Sequence, residues 1–388
     1  MNLRSKLPHV GTTIFTVMSN RARELGAINL AQGFPDYDPP EPLKDLVARY
    51  VAKGYNQYAS MIGAPELREQ IALKLAASYG SLPDAETEVT VTFGATEALF
   101  SAIQALVHPG DEVLIFDPSY DAYGPSVLLA GGRPIHLALE PPDFRIDWDR
   151  VRAAISDRTR MVILNTPHNP VATIASRADL DTLAELLRPT QAVVLADEVY
   201  EHMVYDGAQH ASILAHPELR ERGVAIFSFG KSLHATGWRV GYAVAPPAIT
   251  HEIRSVHQFS TFSIATPMQY AIADFLRDYP EHCAGLSAFY QRKRDYFLEC
   301  LSGSRLRGTP AAGTYFQLLD FSDISQQSDA EFAETLMRDA GVAAIPVSAF
   351  YATPPYAERP APRLGVLRFC FAKSDSILEQ AAERLRKL

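Results

Sequence analysis

The stretch Ser228-Phe-Gly-Lys231-Ser-Leu-His-Ala-Thr-Gly-Trp-Arg239 lies at the end of an apolar run, residues 224–229, that is typical of a buried strand. It places the amine of Lys231 and the guanidinium of Arg239 in one loop at the carboxyl end of that strand. Ligands of open α/β sheets bind at this edge. A lysine buried there near other cations loses its proton readily and can attack an aldehyde. A solvated surface lysine is the alternative, and a P-loop is excluded because Ala225 stands where that motif requires glycine.

Working outward from this stretch, the chain alternates β-rich runs with helical stretches such as 96–107 and 178–187. The β-rich runs are 89–93, 112–117, 134–139, 160–165, 192–197, 224–229 and 240–245. Nearly continuous apolar runs are expected of strands covered on both faces, so the pattern predicts an α/β domain with a mostly parallel, seven-stranded sheet. Only about ten residues join the last two runs, which is short for a parallel crossover, so we predict one antiparallel strand there.

The pattern changes after residue 285 and predicts a second, smaller α/β domain. Its predicted elements are a helix at 286–301, short strands near 315–319, a helix at 329–340, a strand at 365–371 and a helix at 375–388. Proline-rich segments at 34–42 and 354–362 predict loops. The predicted division is an N-terminal arm with a small-domain segment (1–40), a large domain (41–285) and a small C-terminal domain (286–388).

Composition excludes several classes of protein. The 388 residues carry a formal charge of −9, which argues against a nucleic-acid partner. The three cysteines form no CxxC pair and no HExxH motif occurs, so neither a disulfide framework nor a metal site is predicted. Apolar stretches are too short for a signal peptide or a membrane span. We therefore expect a cytoplasmic protein with no membrane partner.

A second stretch, Val193-Val-Leu-Ala-Asp197-Glu-Val-Tyr200, ends an apolar strand with a carboxylate and a phenol three residues later. A buried carboxylate needs a partner, and a protonated pyridine nitrogen would supply one. Such a ring serves as an electron sink for a carbanion, and Tyr200 could bind the oxygen on the same ring. A metal-binding carboxylate or a helix N-cap remains the alternative for Asp197.

Three further stretches have polar groups that suit an anionic ligand. Gly94-Ala95-Thr96 opens a helix after a strand, where exposed N–H groups make a phosphate site. Asn169 lies in a turn made rigid by two prolines, which can direct its amide into a cleft. Arg368 is the one arginine of an otherwise apolar strand, and its guanidinium group has the geometry to bind a carboxylate through two hydrogen bonds. An ordinary strand–helix junction, a rigid loop and a structural salt bridge are the respective alternatives.

In this order, these segments resemble the class I/II aminotransferases of pyridoxal-phosphate fold type I, nearly from end to end. The most specific match is Ser-x-x-Lys with arginine eight residues after the lysine and Asp-x-x-Tyr about thirty residues before it. The resemblance implies that Lys231 holds pyridoxal 5'-phosphate as a Schiff base and shuttles protons. It also implies that Asp197 pairs with the pyridinium and that Tyr200 and Asn169 contact the ring oxygen. The usual N-P-x-G motif here ends in Ala172, so we expect a loop adjustment.

The resemblance assigns further residues to the cofactor and the substrate. The phosphate cup would comprise Gly94, Ala95, Thr96, Ser228 and Arg239. Tyr120 would stack on the ring, Arg368 would bind the substrate carboxylate, and Gly33 would belong to the segment that closes over the substrate. Tyr58 resembles a tyrosine that reaches the phosphate of the neighbouring subunit, which implies a homodimer with shared active sites.

Within this superfamily, the phrases Gly-Thr-Thr-Ile-Phe, Asp-Pro-Ser-Tyr-Asp and Val-His-Gln-Phe-Ser-Thr-Phe are similar to bacterial methionine aminotransferases and kynurenine/glutamine transaminases. The similarity implies an aromatic pocket formed by Phe15, Tyr120, Phe262 and Tyr315. It implies ping-pong transamination of an apolar, sulfur-containing or aromatic L-amino acid, methionine first, with a 2-oxo acid. A C–S β-lyase on the same fold is the alternative. A nicotinamide dehydrogenase is excluded because no GxGxxG follows the first strand.

Overall fold

The computed structural model describes residues 3–353 and 361–388. Its strands are β1 (Ile28–Asn29), β2 (Val89–Thr92), β3 (Glu112–Asp117), β4 (Arg133–Ala138), β5 (Thr159–Asn165), β6 (Val193–Asp197), β7 (Gly223–Ser228), β8 (Gly241–Val244), β9 (Phe316–Asp320), β10 (Val342–Ala343), β11 (Ile345–Pro346) and β12 (Val366–Cys370). Its helices are α1 (Ile14–Leu25), α2 (Glu41–Ala52), α3 (Pro65–Tyr79), α4 (Gly94–Leu106), α5 (Tyr123–Leu129), α6 (Trp148–Ala154), α7 (Arg177–Leu187), α8 (Pro217–Arg220), α9 (Phe229–Ser232), α10 (Pro247–Ser260), α11 (Thr266–Asp278), α12 (Glu281–Cys300), α13 (Asp329–Asp339) and α14 (Asp375–Leu385). None of the helices in these ranges is long and apolar enough to cross a bilayer.

All seven predicted β-rich runs form strands of one sheet, in the order β2-β8-β7-β6-β5-β3-β4. Strand β8 is antiparallel to both of its neighbours and the other pairings are parallel, which confirms the prediction made from the short connection. The central strands are buried on both faces because consecutive side chains enter different cores. Leu114 and Phe116 join one hydrophobic cluster, whereas Val113 and Ile115 join another on the opposite face.

The parallel register brings polar strand ends together at one edge of the sheet. Asn165, the last residue of β5, pairs with Asp197, the last residue of β6. Ser228 ends β7 and pairs with Gly241 at the start of β8. Since these residues terminate neighbouring strands, the side chains of the loops that follow them share a small volume at the carboxyl edge of the sheet.

A smaller α/β unit follows, and the N-terminal segment contributes to it. Strands β11, β12 and β9 form an antiparallel sheet, and β1 pairs with β10 through Ile28 and Val342. Leu30 shares a hydrophobic cluster with side chains of α12, α13 and α14. This pairing agrees with assigning part of residues 1–40 to the small domain, although the three domain boundaries stay predictions. Residues 354–360 of the proline-rich segment predicted as a loop lie outside the described residues.

A buried ion pair fixes the turn that follows Asp197. The amine of Lys74, on α3, lies 2.5 Å from Oε1 of Glu201, and Tyr79 donates to Oε2 at 2.6 Å. Burial alone would raise the pKa of Glu201, but the charge of Lys74 and these hydrogen bonds outweigh it and lower the pKa to about 2. The pair therefore attaches the turn that carries Tyr200 to a helix outside the sheet.

We predict that Lys74→Met will reduce the free energy of unfolding by about 3–5 kcal/mol at pH 7, because it leaves a buried carboxylate without its cation. Since the folded-state pKa of Glu201 is depressed, the pair's contribution is complete above about pH 4.5 and is lost as the pH falls toward 2. Urea unfolding at pH 7 and pH 3, at a fixed protein concentration, measures both effects. The control is Lys74→Met with Glu201→Gln, which removes the stranded charge and should be more stable than the single variant. Equal stability of the two variants would contradict the prediction.

Candidate active site

Lys231 lies in α9, a single helical turn that begins directly after β7. Its amine is 2.9 Å from the phenol oxygen of Tyr315 and 3.4 Å from the carbonyl oxygen of Gly33. The same amine lies 5.5 Å from the ring centre of Tyr200. Burial lowers the pKa of Lys231 to about 8. Lys231 is therefore half-buried and its amine is readily deprotonated, in contrast to the alternative of a solvated surface lysine.

Asp197 is a buried carboxylate held by neutral donors. Its Oδ2 accepts a hydrogen bond of 2.6 Å from the phenol of Tyr123, and its Oδ1 accepts one of 3.4 Å from the backbone N–H of Val199. Burial raises the pKa of Asp197 to about 6, although the bond from Tyr123 opposes the rise. No cationic side chain in the described ranges forms an ion pair with Asp197. A cationic ring nitrogen would supply the missing charge.

Tyr200 is the third residue of this buried group. Its ring meets that of Tyr315 edge to face, with centroids 5.1 Å apart. Burial raises the pKa of its phenol above the ordinary value, so the hydroxyl stays protonated and available as a donor. The structure thus brings together all three residues that the sequence assigned to catalysis.

The first turn of α4 and Arg239 form an anion site. Gly94 has φ +73°, and a Cβ added there would lie 2.7 Å from Nη2 of Arg239, so the guanidinium lies directly against the helix start. Arg239 donates to the carbonyl of Thr236 at 3.0 Å and, within the described part of the chain, forms no ion pair. The hydroxyl of Thr96 is 3.5 Å from that of Tyr120. Ala95 is the next residue of this turn, and Ser228 precedes α9. Free N–H groups and an unpaired guanidinium suit a phosphate.

Arg368 is completely buried on β12, and its partners are neutral. Nη1 donates to Oδ1 of Asn169 at 2.6 Å, Nη2 donates to the carbonyl of Ala31 at 2.9 Å, and Nε has no partner. The guanidinium carbon lies 3.8 Å from the ring centre of Phe316. Burial lowers the pKa of Arg368 to about 10, so it remains charged near neutral pH. No acidic side chain among residues 3–353 and 361–388 pairs with it, which leaves it available for a substrate carboxylate.

Comparisons with known proteins agree with this geometry. Residues 26–385 match the family model described as aminotransferase class I and II. The chain belongs to that family. It is 53% identical to methionine aminotransferase of Escherichia coli over 99% of this chain and 98% of the relative. It is 34% identical to human kynurenine–oxoglutarate transaminase 1 over 94% of this chain and 93% of the relative. A crystal structure of the E. coli protein, whose reported function is methionine aminotransferase, covers 100% of both chains with TM-score 0.96 and 52% identity.

Membership of this family makes the chain a pyridoxal-phosphate-dependent aminotransferase, and its residues fit that cofactor. The anion site at Gly94 and Arg239 suits the phosphate, Asp197 is a buried carboxylate with no ion-pair partner among the described residues, and Lys231 is a half-buried amine with a lowered pKa. Asn169 uses its Oδ1 on Arg368, which leaves its amide N–H groups for the ring oxygen together with Tyr200. Bound cofactor supplies an electron sink that stabilises a carbanion at the α-carbon of an amino acid.

The departure from the N-P-x-G motif has a local explanation. Ala172, which occupies the final glycine position, has φ +61° in the left-handed region that favours glycine. Its backbone N–H donates to the carbonyl of His168 at 2.8 Å, which closes the turn around Asn169. The alanine therefore adopts the glycine-type backbone itself, and Asn169 keeps its place beside Arg368.

Three of the four aromatic residues predicted to line the pocket lie beside other predicted site residues. Phe15 lies by Arg368, whose guanidinium carbon is 5.3 Å from its ring centre, and Tyr315 contacts Lys231. Tyr120 lies beside Thr96 and Tyr123. Phe262 is 42% exposed, and its ring centre lies 5.4 Å from that of Tyr58. The prediction that Phe262 lines the substrate pocket stays a prediction.

Sequence reasoning missed two phenols that the structure brings to the site. Tyr123 is the donor to Asp197, and the hydroxyl of Tyr315 faces Lys231, whereas the sequence suggested only a place in the side-chain pocket. Tyr123 is the first residue of α5, whereas Tyr120 lies in the loop before it, so no helical spacing indicated the contact between Tyr123 and Asp197.

We predict that Gly94→Ala will weaken retention of pyridoxal phosphate by about tenfold or more. The added Cβ would press on Arg239 and would strain a backbone with positive φ, at a cost of about 1–3 kcal/mol. Titrating the apoprotein with cofactor and following absorbance gives the dissociation constant. Gly285→Ala is the matched control, since nothing lies within 4 Å of its added Cβ. Unchanged affinity in Gly94→Ala would mean that the helix start does not hold the phosphate.

Proposed function

We propose that this aminotransferase acts on methionine and on related apolar or aromatic L-amino acids, with a 2-oxo acid as acceptor. The observation that carries the proposal is the aromatic surround of Arg368. Its guanidinium carbon lies 3.8, 5.1 and 5.3 Å from the ring centres of Phe316, Phe350 and Phe15. A substrate whose carboxylate meets this guanidinium has apolar rings as neighbours, which favours an apolar side chain. The 53% identical methionine aminotransferase of E. coli supports the same substrate class.

Asp121 adds a reason to expect discrimination against acidic substrates. Its Oδ2 is buried and has no hydrogen-bond partner in the described part of the chain. Burial raises the pKa of Asp121, and the charge of Arg368 opposes that rise, so the two groups are near enough to influence each other. We therefore expect a second substrate carboxylate close to Arg368 to be disfavoured by this acid.

The chain's own residues account for binding and proton movement. Arg368 fixes the α-carboxylate, which orients the bond to be broken. The amine of Lys231 accepts the α-proton of the bound amino acid and returns a proton in the second half of the exchange, as a general base and then a general acid. Asp197 keeps a negative charge beside the ring nitrogen and thereby favours its protonated form. Repeating these steps with an incoming 2-oxo acid completes a ping-pong cycle.

A homodimer with shared sites, in the cytoplasm, belongs to the same proposal. Tyr58 is 84% exposed and Phe259 85% exposed, and Phe262 lies beside Tyr58. Large apolar rings exposed together are typical of an interface. In such a dimer Tyr58 would contact the partner's cofactor phosphate, and Phe262 would line the partner's pocket and not its own. The free cysteines of the described residues suit a reducing compartment.

A panel of amino acids in single half-reactions tests the substrate proposal. We expect methionine and phenylalanine to convert the bound cofactor at least about a hundredfold faster than aspartate, as kcat/KM from cofactor absorbance, because a buried unpaired carboxylate costs about 3 kcal/mol or more. The control is Lys231→Ala, which should show no turnover and no absorption band of lysine-bound cofactor. Preference for aspartate would contradict the proposal. Release of pyruvate and ammonia from cysteine conjugates, without 2-oxo acid from methionine, would favour the lyase alternative.

Subunit mixing tests the shared site. Tyr58→Ala and Lys231→Ala proteins should each have little activity, but their co-assembled mixture should regain up to about a quarter of the wild-type sites. Random pairing of two chains makes half of the dimers mixed, and each mixed dimer has one intact site. A mixture of Lys231→Ala with the double variant is the control and should regain nothing. Absence of recovery with the two single variants, in dimers shown to exchange subunits, would place Tyr58 in its own subunit's site or outside both.

A further inference from the structure

Three polar atoms around Lys231 form a closed triangle. The amine of Lys231 is 2.9 Å from the phenol oxygen of Tyr315 and 3.4 Å from the carbonyl oxygen of Gly33. The phenol of Tyr315 is itself 2.6 Å from that carbonyl. All three groups come from separate parts of the chain: α9, the residue before β9, and the segment after β1.

The direction of each hydrogen bond in this triangle follows from a count of hydrogens. A carbonyl oxygen can only accept, so the single phenol hydrogen of Tyr315 is used in the 2.6 Å bond to Gly33. The phenol therefore turns a lone pair toward Lys231, and the amine must be the donor. A neutral amine has two hydrogens for these two oxygens and keeps its own lone pair directed away from them.

Burial keeps both partners in the required protonation state. It lowers the pKa of Lys231 to about 8, so a large share of the amine is neutral in mildly alkaline solution. It raises the pKa of Tyr315 well above the ordinary value, so the phenol remains protonated. Because the phenol is not ionised, it supplies no charge to capture the proton that the amine must pass on.

The carbonyl of Gly33 reaches this triangle because the residue has no side chain. A Cβ at Gly33 would lie 2.8 Å from the ring of Phe316. Neighbouring carbonyls of the same segment also accept hydrogen bonds, that of Ala31 from Arg368 at 2.9 Å and that of Phe34 from Lys373 at 2.7 Å. Arg368 and Lys373 thus fix the segment on both sides of Gly33.

We propose that Tyr315, together with the carbonyl of Gly33, positions the free amine of Lys231 with its lone pair clear to take the substrate's α-proton. In that step the Cα–H bond breaks and a new N–H bond forms on Lys231, and the cofactor, when bound, would take up the electron pair. Tyr315 is then a positioning residue, since it acts through Lys231 and not on the substrate. The proposal rests on the role of Lys231 in transamination and not on which amino acid is preferred.

The test compares Tyr315→Phe with Tyr290→Phe, a matched loss of one buried phenol oxygen in the same aromatic cluster, with ring centroids 5.8 Å apart. In Tyr315→Phe we expect the half-reaction to slow by about tenfold or more, since small misplacement of a base is costly. The isotope effect with α-deuterated substrate should rise, while cofactor retention and the substrate's apparent dissociation constant stay within about twofold. Tyr290→Phe should behave as the wild type.

A second readout uses the apoprotein and needs no turnover. The rate at which an amine reagent modifies Lys231 is followed against pH, with the modified lysine identified by mass spectrometry. Loss of the phenol acceptor destabilises the ammonium form of Lys231. The midpoint of the plot of modification rate against pH should therefore move to lower pH in Tyr315→Phe and should not move in Tyr290→Phe. Circular dichroism and thermal unfolding check that each variant is folded.

Three outcomes would overturn the proposal: a wild-type half-reaction in Tyr315→Phe, an unmoved modification midpoint in that variant, or equal effects in the two variants. The kinetic comparison uses whichever amino acid of the panel reacts fastest. Failure of methionine as a substrate therefore counts against the proposed function alone, and loss of the Tyr315 effect counts against this inference alone.

Discussion

Burial of charged groups beside neutral partners is the constraint on which this site depends. Asp197 and Arg368 are buried and Lys231 is half-buried, and burial is the main cause of the shifted pKa of each one. Their nearest partners are uncharged: Tyr315 for the amine, Tyr123 for the carboxylate, and Asn169 for the guanidinium. Such partners offset only part of the desolvation cost. The remaining cost favours a cationic ring nitrogen at Asp197, a carboxylate at Arg368 and the neutral, reactive form of the amine at Lys231.

The two sheets explain how the chain holds these groups close together. The large sheet ends β5, β6 and β7 at a common edge, so Asn165, Asp197 and Ser228 are fixed by backbone pairing. Arg368 comes from β12 in the smaller sheet. Its hydrogen bonds to Asn169 and to the carbonyl of Ala31 join that sheet to the loop after β5 and to the segment after β1. Rigid strands therefore set the spacing, while loops supply the functional groups.

The sequence predicted those parts of the site that strand patterns determine. Seven apolar runs and one short connection were enough for the sheet and its antiparallel strand and placed Lys231 and Asp197 near strand ends, while the family resemblance implied their roles. The contacts of Tyr123 and Tyr315 could not be predicted, since a side chain's direction depends on packing between distant elements. Aromatic residues suit core, pocket and interface equally, so the place of Phe262 in the substrate pocket stays a prediction. Nor does an alanine such as Ala172 indicate a positive φ.

The pairing of β1 with β10 has a consequence for how the enzyme matures during synthesis. Strands β2 to β8 are contiguous in the chain, but the core beneath their sheet also contains Ile264, Phe275 and Val347, which are synthesised later. The carbonyl of Gly33 cannot be placed until β10 and β12, near the other end of the chain, are available to hold β1 and Ala31. A nascent chain therefore completes the surroundings of Lys231 only after its C-terminal strands are made, which withholds transaminase activity from incomplete polypeptides.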